Sequence, residues 1–141
     1  MKMSIARVVL AAAGLAALLS FPQLPTVRAA DARFFELRIY HANPGKLDAL
    51  NARFRNHTNK LFVKHGMELV GYWTPADGPE AQNTLVYILA YPSREAREAS
   101  WKAFRDDPAW IKAKEESEKG GVLVEKVDAK FLNPTDYSPL K

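Results

Sequence analysis

The chain has 141 residues, with twenty lysines and arginines, sixteen aspartates and glutamates, and no cysteine. The absence of cysteine excludes disulfides, thiol catalysis and thiolate metal sites. Basic and acidic residues are interleaved, so the sequence offers no basic stripe for phosphate groups, and we predict no nucleic-acid partner.

The first 29 residues have the anatomy of a secretory signal peptide. Lys2 and Arg7 form a basic start, and the uncharged apolar run Val8–Phe21 follows. Small residues then allow cleavage after Ala29 or after Ala32, and the sequence does not choose between the two positions. The apolar run has about fourteen residues, short of the roughly 20 that span a bilayer, so we predict cleavage and not a permanent membrane anchor.

The mature protein is predicted to be one domain over residues 30–141, large enough to bury its own core without cross-links. Three basic residues leave with the leader, so seventeen basic residues face sixteen acidic ones and the net charge falls near +1. The basic character of the whole chain is therefore weak support for an acidic partner. The leader predicts an exported protein, periplasmic or secreted.

The first predicted element is a strand at Arg33–His41, where side chains alternate between two faces. One face is mostly apolar and carries Phe35, Leu37, Ile39 and His41. The other is mixed and carries Phe34, Glu36, Arg38 and Tyr40. The pattern does not decide which of the two faces packs against helices.

A long amphipathic helix is predicted next. Asn43 is expected to be its N-cap, Pro44 its first residue and Gly66 its C-terminal stop. Apolar side chains recur at spacings of three and four between these signals, over about six turns.

Three more strands and a second helical region complete the pattern. Strands are predicted at Met67–Thr74, Asn83–Tyr91 and Val122–Phe131, the first two joined by a hairpin loop. Ser93 is expected to cap the helix between the last two strands. A stripe on that helix is expected to lie close to the sheet, formed by Ala96, Ala99, Ser100, Ala103 and Phe104.

The order of elements, β-α-β-β-α-β, predicts an α+β fold of the ferredoxin-like kind. Right-handed crossovers place both helices on one face of a four-stranded antiparallel sheet, with the first and third strands in the centre. The other face of the sheet stays uncovered. An open face with large side chains usually marks an interface.

The three histidines are not predicted to form a metal site. His57 and His65 are eight residues apart on one helix, so they lie roughly 12 Å apart along its axis and cannot chelate one ion. No metal-binding or nucleotide-binding motif is present, and the sequence indicates no metal and no cofactor. At the end of its helix, His65 is interpreted first as a capping and packing residue and second as a ligand or proton-transfer group.

Arg38 and Tyr40 are candidate ligand-binding residues because they leave the same face of a central strand as Glu36. One interpretation is structural: Arg38 pairs with Glu36, or with a residue across the strands, at a dimer interface. The other is a polar cluster that orients the carboxylate or carbonyl of a ligand. On a neighbouring strand, Trp73 adds aromatic surface that is also a candidate contact.

The segment WKAFRDDPAW, residues 101–110, contains the last two candidates, Trp101 and Trp110. Asp107 is expected to cap a helix that Pro108 begins. Trp101 is expected to lie off the centre of the apolar stripe and Trp110 in the first turn of the new helix. Helix packing is the favoured interpretation for both rings, and closure of a pocket rim is the functional one.

Taken together, these segments resemble the NIPSNAP family of the dimeric α-β barrel superfamily. The resemblance runs over the whole mature chain, through FELRIY, PGKLDAL, KHGMELVGYWT and FLNPTDYSPL. Its most specific part is NTLVYILAYPSREAREASWKAFRDDPAW, in which Arg97 precedes Trp101 as in the usual family pattern.

The resemblance implies a homodimer whose two sheets face each other as a barrel with the helices outside. It implies no established reaction, because family members are associated with roles as interaction proteins and not as established enzymes. The fold itself supports many functions. Our first hypothesis is an exported NIPSNAP-domain homodimer that binds a small, partly apolar molecule or a protein partner. The alternatives are a cofactor-independent monooxygenase or isomerase acting on an aromatic or quinone-like substrate, and a scaffold without a ligand.

Overall fold

The computed structural model describes residues 33–141, so the predicted signal peptide and its cleavage positions lie outside the described residues. The sheet has four strands, β1 (Phe34–Ala42), β2 (Glu68–Trp73), β3 (Thr84–Tyr91) and β4 (Val124–Leu132). Their order is β2-β3-β1-β4 and every neighbouring pair is antiparallel. The predicted ferredoxin-like topology, with the first and third strands in the centre, is confirmed.

The helices form a layer on one face of this sheet. They are α1 (Leu47–Arg53), α2 (Asn59–Lys64), α3 (Arg94–Asp106) and α4 (Pro108–Ser117). A π-helical turn, Phe54–Thr58, joins α1 to α2, so the predicted single helix has a widened turn in its middle. No helix within residues 33–141 is long and apolar enough to cross a membrane.

The start of the first helix differs from the prediction. Its N-cap position is held by Lys46, not Asn43, and no side chain caps it. Asn43 instead donates a hydrogen bond from Nδ2 to the carbonyl of Val122, which ties the loop after β1 to the loop before β4. Gly66 does end the helix, at a φ of +78° that favours glycine.

The mixed face of β1 is the one that the helices cover. Glu36 is fully buried beneath α3, and the apolar side chains of β1 lie on the opposite face. The ion pair between Arg38 and Glu36 is present, but it lies between sheet and helices and not on the uncovered face. The expectation that this pair belongs to a dimer interface is therefore wrong, because α3 supplies the donors that the carboxylate needs.

The face of α3 that packs on the sheet also differs from the prediction. Ala99 and Ala103 are exposed, whereas Trp101 and Phe104 are buried. The small-residue stripe is therefore not the packed face, and Trp101 lies at the centre of that face and not beside it. The prediction placed the small and apolar residues on the packed face. In the structure Arg97 and Trp101 face the sheet, because both donate hydrogen bonds to the buried Glu36.

The opposite face of the sheet is left open by the helices and partly crossed by the segment after β4. Residues 133–140 of this segment form one wall of an apolar groove over Phe35, Val70 and Ile88. Arg33, at the start of the sheet, donates a hydrogen bond of 2.6 Å from Nε to the carbonyl of Lys141. The segment therefore shields one end of the open face.

Candidate functional site

A carboxylate with four side-chain donors is the centre of the polar network beneath α3. Arg97 donates to both oxygens of Glu36, from Nη2 at 2.7 Å and from Nε at 3.0 Å. Arg38 donates to Oε1 at 2.7 Å, and Tyr91 and Trp101 donate to Oε2 at 3.1 and 2.9 Å. The two-pronged contact with Arg97 is the geometry in which a guanidinium holds a carboxylate best.

Glu36 is ionised at neutral pH. Burial alone would raise the pKa of this carboxyl, but the hydrogen bonds from Arg97 and the charge of Arg38 hold the pKa below its ordinary value. Burial, reinforced by the nearby carboxylate, raises the pKa of the Tyr91 hydroxyl, which therefore stays protonated and acts as a donor. The network is a satisfied ion cluster that fixes α3 on β1.

Trp101 connects this network to the cavity described next. Its indole Nε1–H points to Glu36 Oε2 and to the Tyr91 hydroxyl, each at 2.9 Å. The guanidinium of Arg38 lies 4.4 Å from the centre of its ring, a cation–π contact. One end of the side chain is therefore fixed by polar contacts, and the ring reaches the cavity wall.

A cavity of about 300 Å³ lies between the helix layer and the sheet, beside β4. Six aromatic rings line it, from both strands and helices: Tyr40, Phe54, Phe62, Trp101, Phe104 and Trp110. The closest ring pair in its wall is Phe104 with Trp110, with centres 4.5 Å apart. Its size is at the lower end of the range for small-molecule sites, and its lining is of the apolar kind that such sites use.

Four charged side chains also line this cavity: Arg53, Arg105, Lys114 and Glu118. Glu118 accepts from Arg53 at 2.9 Å and from Lys114 at 2.6 Å. Burial raises the pKa of Glu118, but these two donors outweigh burial and the net shift is downward. The carboxylate is therefore ionised and shared between two cations.

Three tyrosines lie together under the π-helical turn. Tyr40 lines the cavity, Tyr87 is fully buried behind it with ring centres 5.3 Å apart, and Tyr72 stacks on Tyr87 at 5.3 Å. Phe54, the first residue of the turn, contacts all three rings. Burial raises the pKa of Tyr72 and Tyr87, so both remain neutral hydroxyls. Within residues 33–141 neither hydroxyl has a hydrogen-bond partner.

His65 lies outside this cavity and holds two helices together. Its Nε2 is 2.7 Å from Oδ2 of Asp107, which also accepts from Lys64 at 2.7 Å. The other oxygen of Asp107 accepts from the backbone N–H of Ala109, as expected of an N-cap. The donors Lys64 and His65, followed by this backbone contact, hold the pKa of Asp107 well below its ordinary value. This geometry agrees with the capping and packing interpretation of His65.

Trp73 is also separate from the cavity. Strand alternation places it on the open face of the sheet, and its ring folds back over Gly71, where a Cβ atom would come within 2.6 Å of it. The sequence-predicted set is therefore divided: Tyr40, Trp101 and Trp110 share the cavity, and Arg38 lies against Trp101. His65 and Trp73 belong to other surroundings.

Sequence reasoning singled out Arg38, noted Arg97 only as part of the family pattern, and did not single out Arg53. Arg53 and Arg97 are buried or half-buried residues on helices, where arginines are usually solvated. A signal existed for Arg97, which lies three and four residues from Arg94 and Trp101 on one helix face. For Arg53 there was none, because its partner Glu118 is 65 positions away. Among the described residues no group of histidine, aspartate and glutamate side chains could hold a metal ion.

Comparison with known proteins agrees with the family resemblance. The NIPSNAP family model matches residues 35–139. A NIPSNAP family protein of unknown function from Agrobacterium tumefaciens is 27% identical with a TM-score of 0.68, over 79% of this chain and 96% of that one. A second NIPSNAP family protein from this organism is 25% identical with a TM-score of 0.68, over 77% and 99%. No curated protein matches the sequence.

The fold extends beyond these relatives. A protein from Chloroflexus aurantiacus, inferred to be an antibiotic biosynthesis monooxygenase, is 17% identical with a TM-score of 0.50. The match covers 78% of this chain and 100% of that one. Similarity at this level shows a shared fold and carries no information about the reaction.

Proposed function

Since the chain belongs to the NIPSNAP family, we propose that it is an exported homodimer that binds a small, partly apolar molecule. The observation that carries this proposal is the cavity of about 300 Å³ between helices and sheet. A scaffold without a ligand would be expected to fill this layer with side chains. Here the rings of Trp101 and Trp110 instead border open space.

The test of ligand binding is native mass spectrometry of the protein purified from the periplasm under mild conditions. A binder is expected to show a species heavier than the polypeptide by the mass of a small molecule, lost on mild activation. Trp110→Ala should reduce the occupied fraction, because Trp110 is half-buried in the cavity wall. Ile111→Ala, an exposed neighbour on the same helix, is the matched control. Only bare polypeptide in every preparation would contradict the proposal.

The homodimer is proposed from the open face of the sheet. Its central strands present half-buried aliphatic side chains there, and no element of residues 33–141 covers them apart from the end shielded by residues 133–140. A second copy is the covering that the family resemblance implies. An uncovered sheet face with contiguous apolar side chains is typical of an interface.

Export is proposed from the leader sequence alone. Cleavage after Ala29 would give a product that begins at Ala30, and cleavage after Ala32 one that begins at Arg33. Intact-mass measurement of the protein from the periplasm or medium identifies the cleavage position. Recovery of the full 141 residues from the cytoplasm alone would contradict export.

A cofactor-independent oxygenase or isomerase is the second proposal, favoured by one contact at the cavity wall. The guanidinium of Arg38 lies 3.4 Å from the hydroxyl of Tyr40, so a hydroxyl with a cationic neighbour borders the cavity. Such a pair could orient the oxygen of a quinol. Oxygen uptake with a panel of quinols should then be lost in Tyr40→Phe and kept in Tyr137→Phe, an exposed tyrosine. No uptake by the unaltered protein would remove this proposal.

A further inference from the structure

The cavity under the helices carries an excess of positive charge, which bears on the chemistry of its ligand. Its lining contains three cations, Arg53, Arg105 and Lys114, and one carboxylate, Glu118. Arg53 and Lys114 both pair with that carboxylate. Arg105 is exposed, and the carboxylate of its neighbour Asp106 pairs with Lys102. One negative charge therefore faces three positive ones.

Arg53 provides a second observation that is independent of the charge count. Its side chain is only 3% exposed, and its Nη1 donates to Glu118 and to the Ser117 hydroxyl. The guanidinium also lies 5.3 Å from the centre of the Trp110 ring, so a cation of the cavity lining is next to one of its aromatic walls.

The remaining lining determines the shape of the ligand. Six aromatic residues, Trp101, Phe104 and Trp110 among them, line the cavity, against three aliphatic ones, Val122, Val124 and Val127. Flat rings pack well against such walls in offset or edge-to-face arrangements. The cations and the aromatic rings line one cavity, so one molecule can contact both.

We propose that this cavity binds a flat, ring-containing molecule that carries one anionic group such as a carboxylate. The rings of the ligand lie among Trp101, Phe104 and Trp110. The anionic group faces Arg53 and Arg105. This inference rests on the proposed ligand-binding function, because it assigns a chemical class to the occupant of the same cavity.

The test compares three probes with one ring system and three charges: 1-naphthoate, 1-naphthalenemethanol and 1-naphthylmethylammonium. Isothermal titration calorimetry with the protein at low ionic strength measures their dissociation constants. The naphthoate is expected to bind on the order of tenfold more tightly than the alcohol, because hydrogen bonds to a charged group are stronger. The ammonium is expected to be the weakest.

The outcomes separate this inference from the binding function on which it rests. If the alcohol or the ammonium binds as tightly as the naphthoate, the anionic class is wrong and ligand binding stands. If none of the three binds while native mass spectrometry still finds a ligand, the class is again wrong. If neither method finds a ligand, both proposals fail.

Two variants test the role of the cations. Arg105→Gln changes an exposed residue and is expected to weaken the naphthoate severalfold while leaving the alcohol unchanged, since it removes charge and little packing. Lys112→Gln removes an exposed cation from α4 outside the cavity and is the matched control. An equal loss for naphthoate and alcohol in Arg105→Gln would show that Arg105 only packs, which overturns the inference.

Discussion

At the scale of the residue, the feature that decides most is a single buried carboxylate. Glu36 accepts hydrogen bonds from four side chains and is fully buried. A buried ion pair contributes little compared with apolar packing, but removing one partner leaves the other charge buried without compensation. Removing Glu36 is therefore expected to reduce stability more than removing any single arginine of the cluster.

Glu36→Gln is expected to lower the free energy of unfolding by about 3 to 5 kcal/mol, because the largely buried Arg38 loses its carboxylate partner and Arg97 keeps only the exposed Glu98. Urea unfolding followed by tryptophan fluorescence measures the loss. Glu98→Gln removes an exposed partner of Arg97 and should change stability by less than about 1 kcal/mol. Equal effects of the two substitutions would show that the buried cluster is not a stability determinant.

The same carboxylate gives stability a defined dependence on pH. Its pKa is lower in the folded protein than the ordinary value of about 4.5, so the folded state binds the proton less readily than the unfolded state does. Its contribution is complete above about pH 4.5 and is lost as the pH falls through the folded value. The free energy of unfolding should therefore decline less steeply in Glu36→Gln than in the unaltered protein below this pH. Parallel declines would contradict the assignment.

At the scale of the element, the junction of α2, α3 and α4 is held by Asp107. Its carboxylate caps α4 by accepting a hydrogen bond from the backbone N–H of Ala109. It also contacts the side chains of Lys64 and His65 at the end of the first helical region. One side chain thus joins three helices, and its position before Pro108 makes α3 end where α4 begins.

Asp107→Ala is expected to lower Tm on the order of 5 °C, because it removes both the cap and the two cationic contacts. Asp107→Asn should lower Tm less, since its amide oxygen still caps the helix. Differential scanning calorimetry checks this order. The adjacent Asp106→Ala removes only an exposed pair with Lys102 and serves as the control. A loss as large in Asp106→Ala would mean that general charge at this helix end, and not the junction, is responsible.

At the scale of the whole molecule, the open face of the sheet is the surface on which the proposed homodimer depends. Ile88 lies on this face in the central strand β3, opposite Leu37 of β1. The helices cannot cover it, because both crossovers run on the other face. A partner sheet would bury it.

Ile88→Lys is expected to convert the proposed dimer to a monomer at micromolar concentration, because a charge would be buried between two apolar sheets. Size-exclusion chromatography with light scattering measures the mass, and circular dichroism confirms that the fold is kept. Val63→Lys makes the same change on an exposed helical position, 59% accessible, and should leave the mass unaltered. If Ile88→Lys remains dimeric, the interface lies elsewhere.

The sequence alone indicated the four strands, the helical regions and their order, because alternation, spacing and caps such as Ser93 and Asp107 are local signals. It misplaced the start of the first helix and did not show the π-helical turn. It also singled out Tyr40, Trp101 and Trp110, three rings that line the cavity. Only the tertiary structure decided which face of β1 is covered. The alternation in β1 left both faces possible, and the helices cover the one that carries Glu36, whose carboxylate is held by Arg97 of α3, 61 positions away.

Long-range pairing also decided which cations belong to the site. Arg53 and Glu118 are in contact because α1 and α4 pack side by side. The spacing of residues within either segment does not predict this contact. The side-chain pattern of one element indicates which of its faces is exposed to water and which is packed in the core. The partner of a buried charge is set by the other elements that the fold brings against it, so the charge of the cavity could be established only from the folded chain.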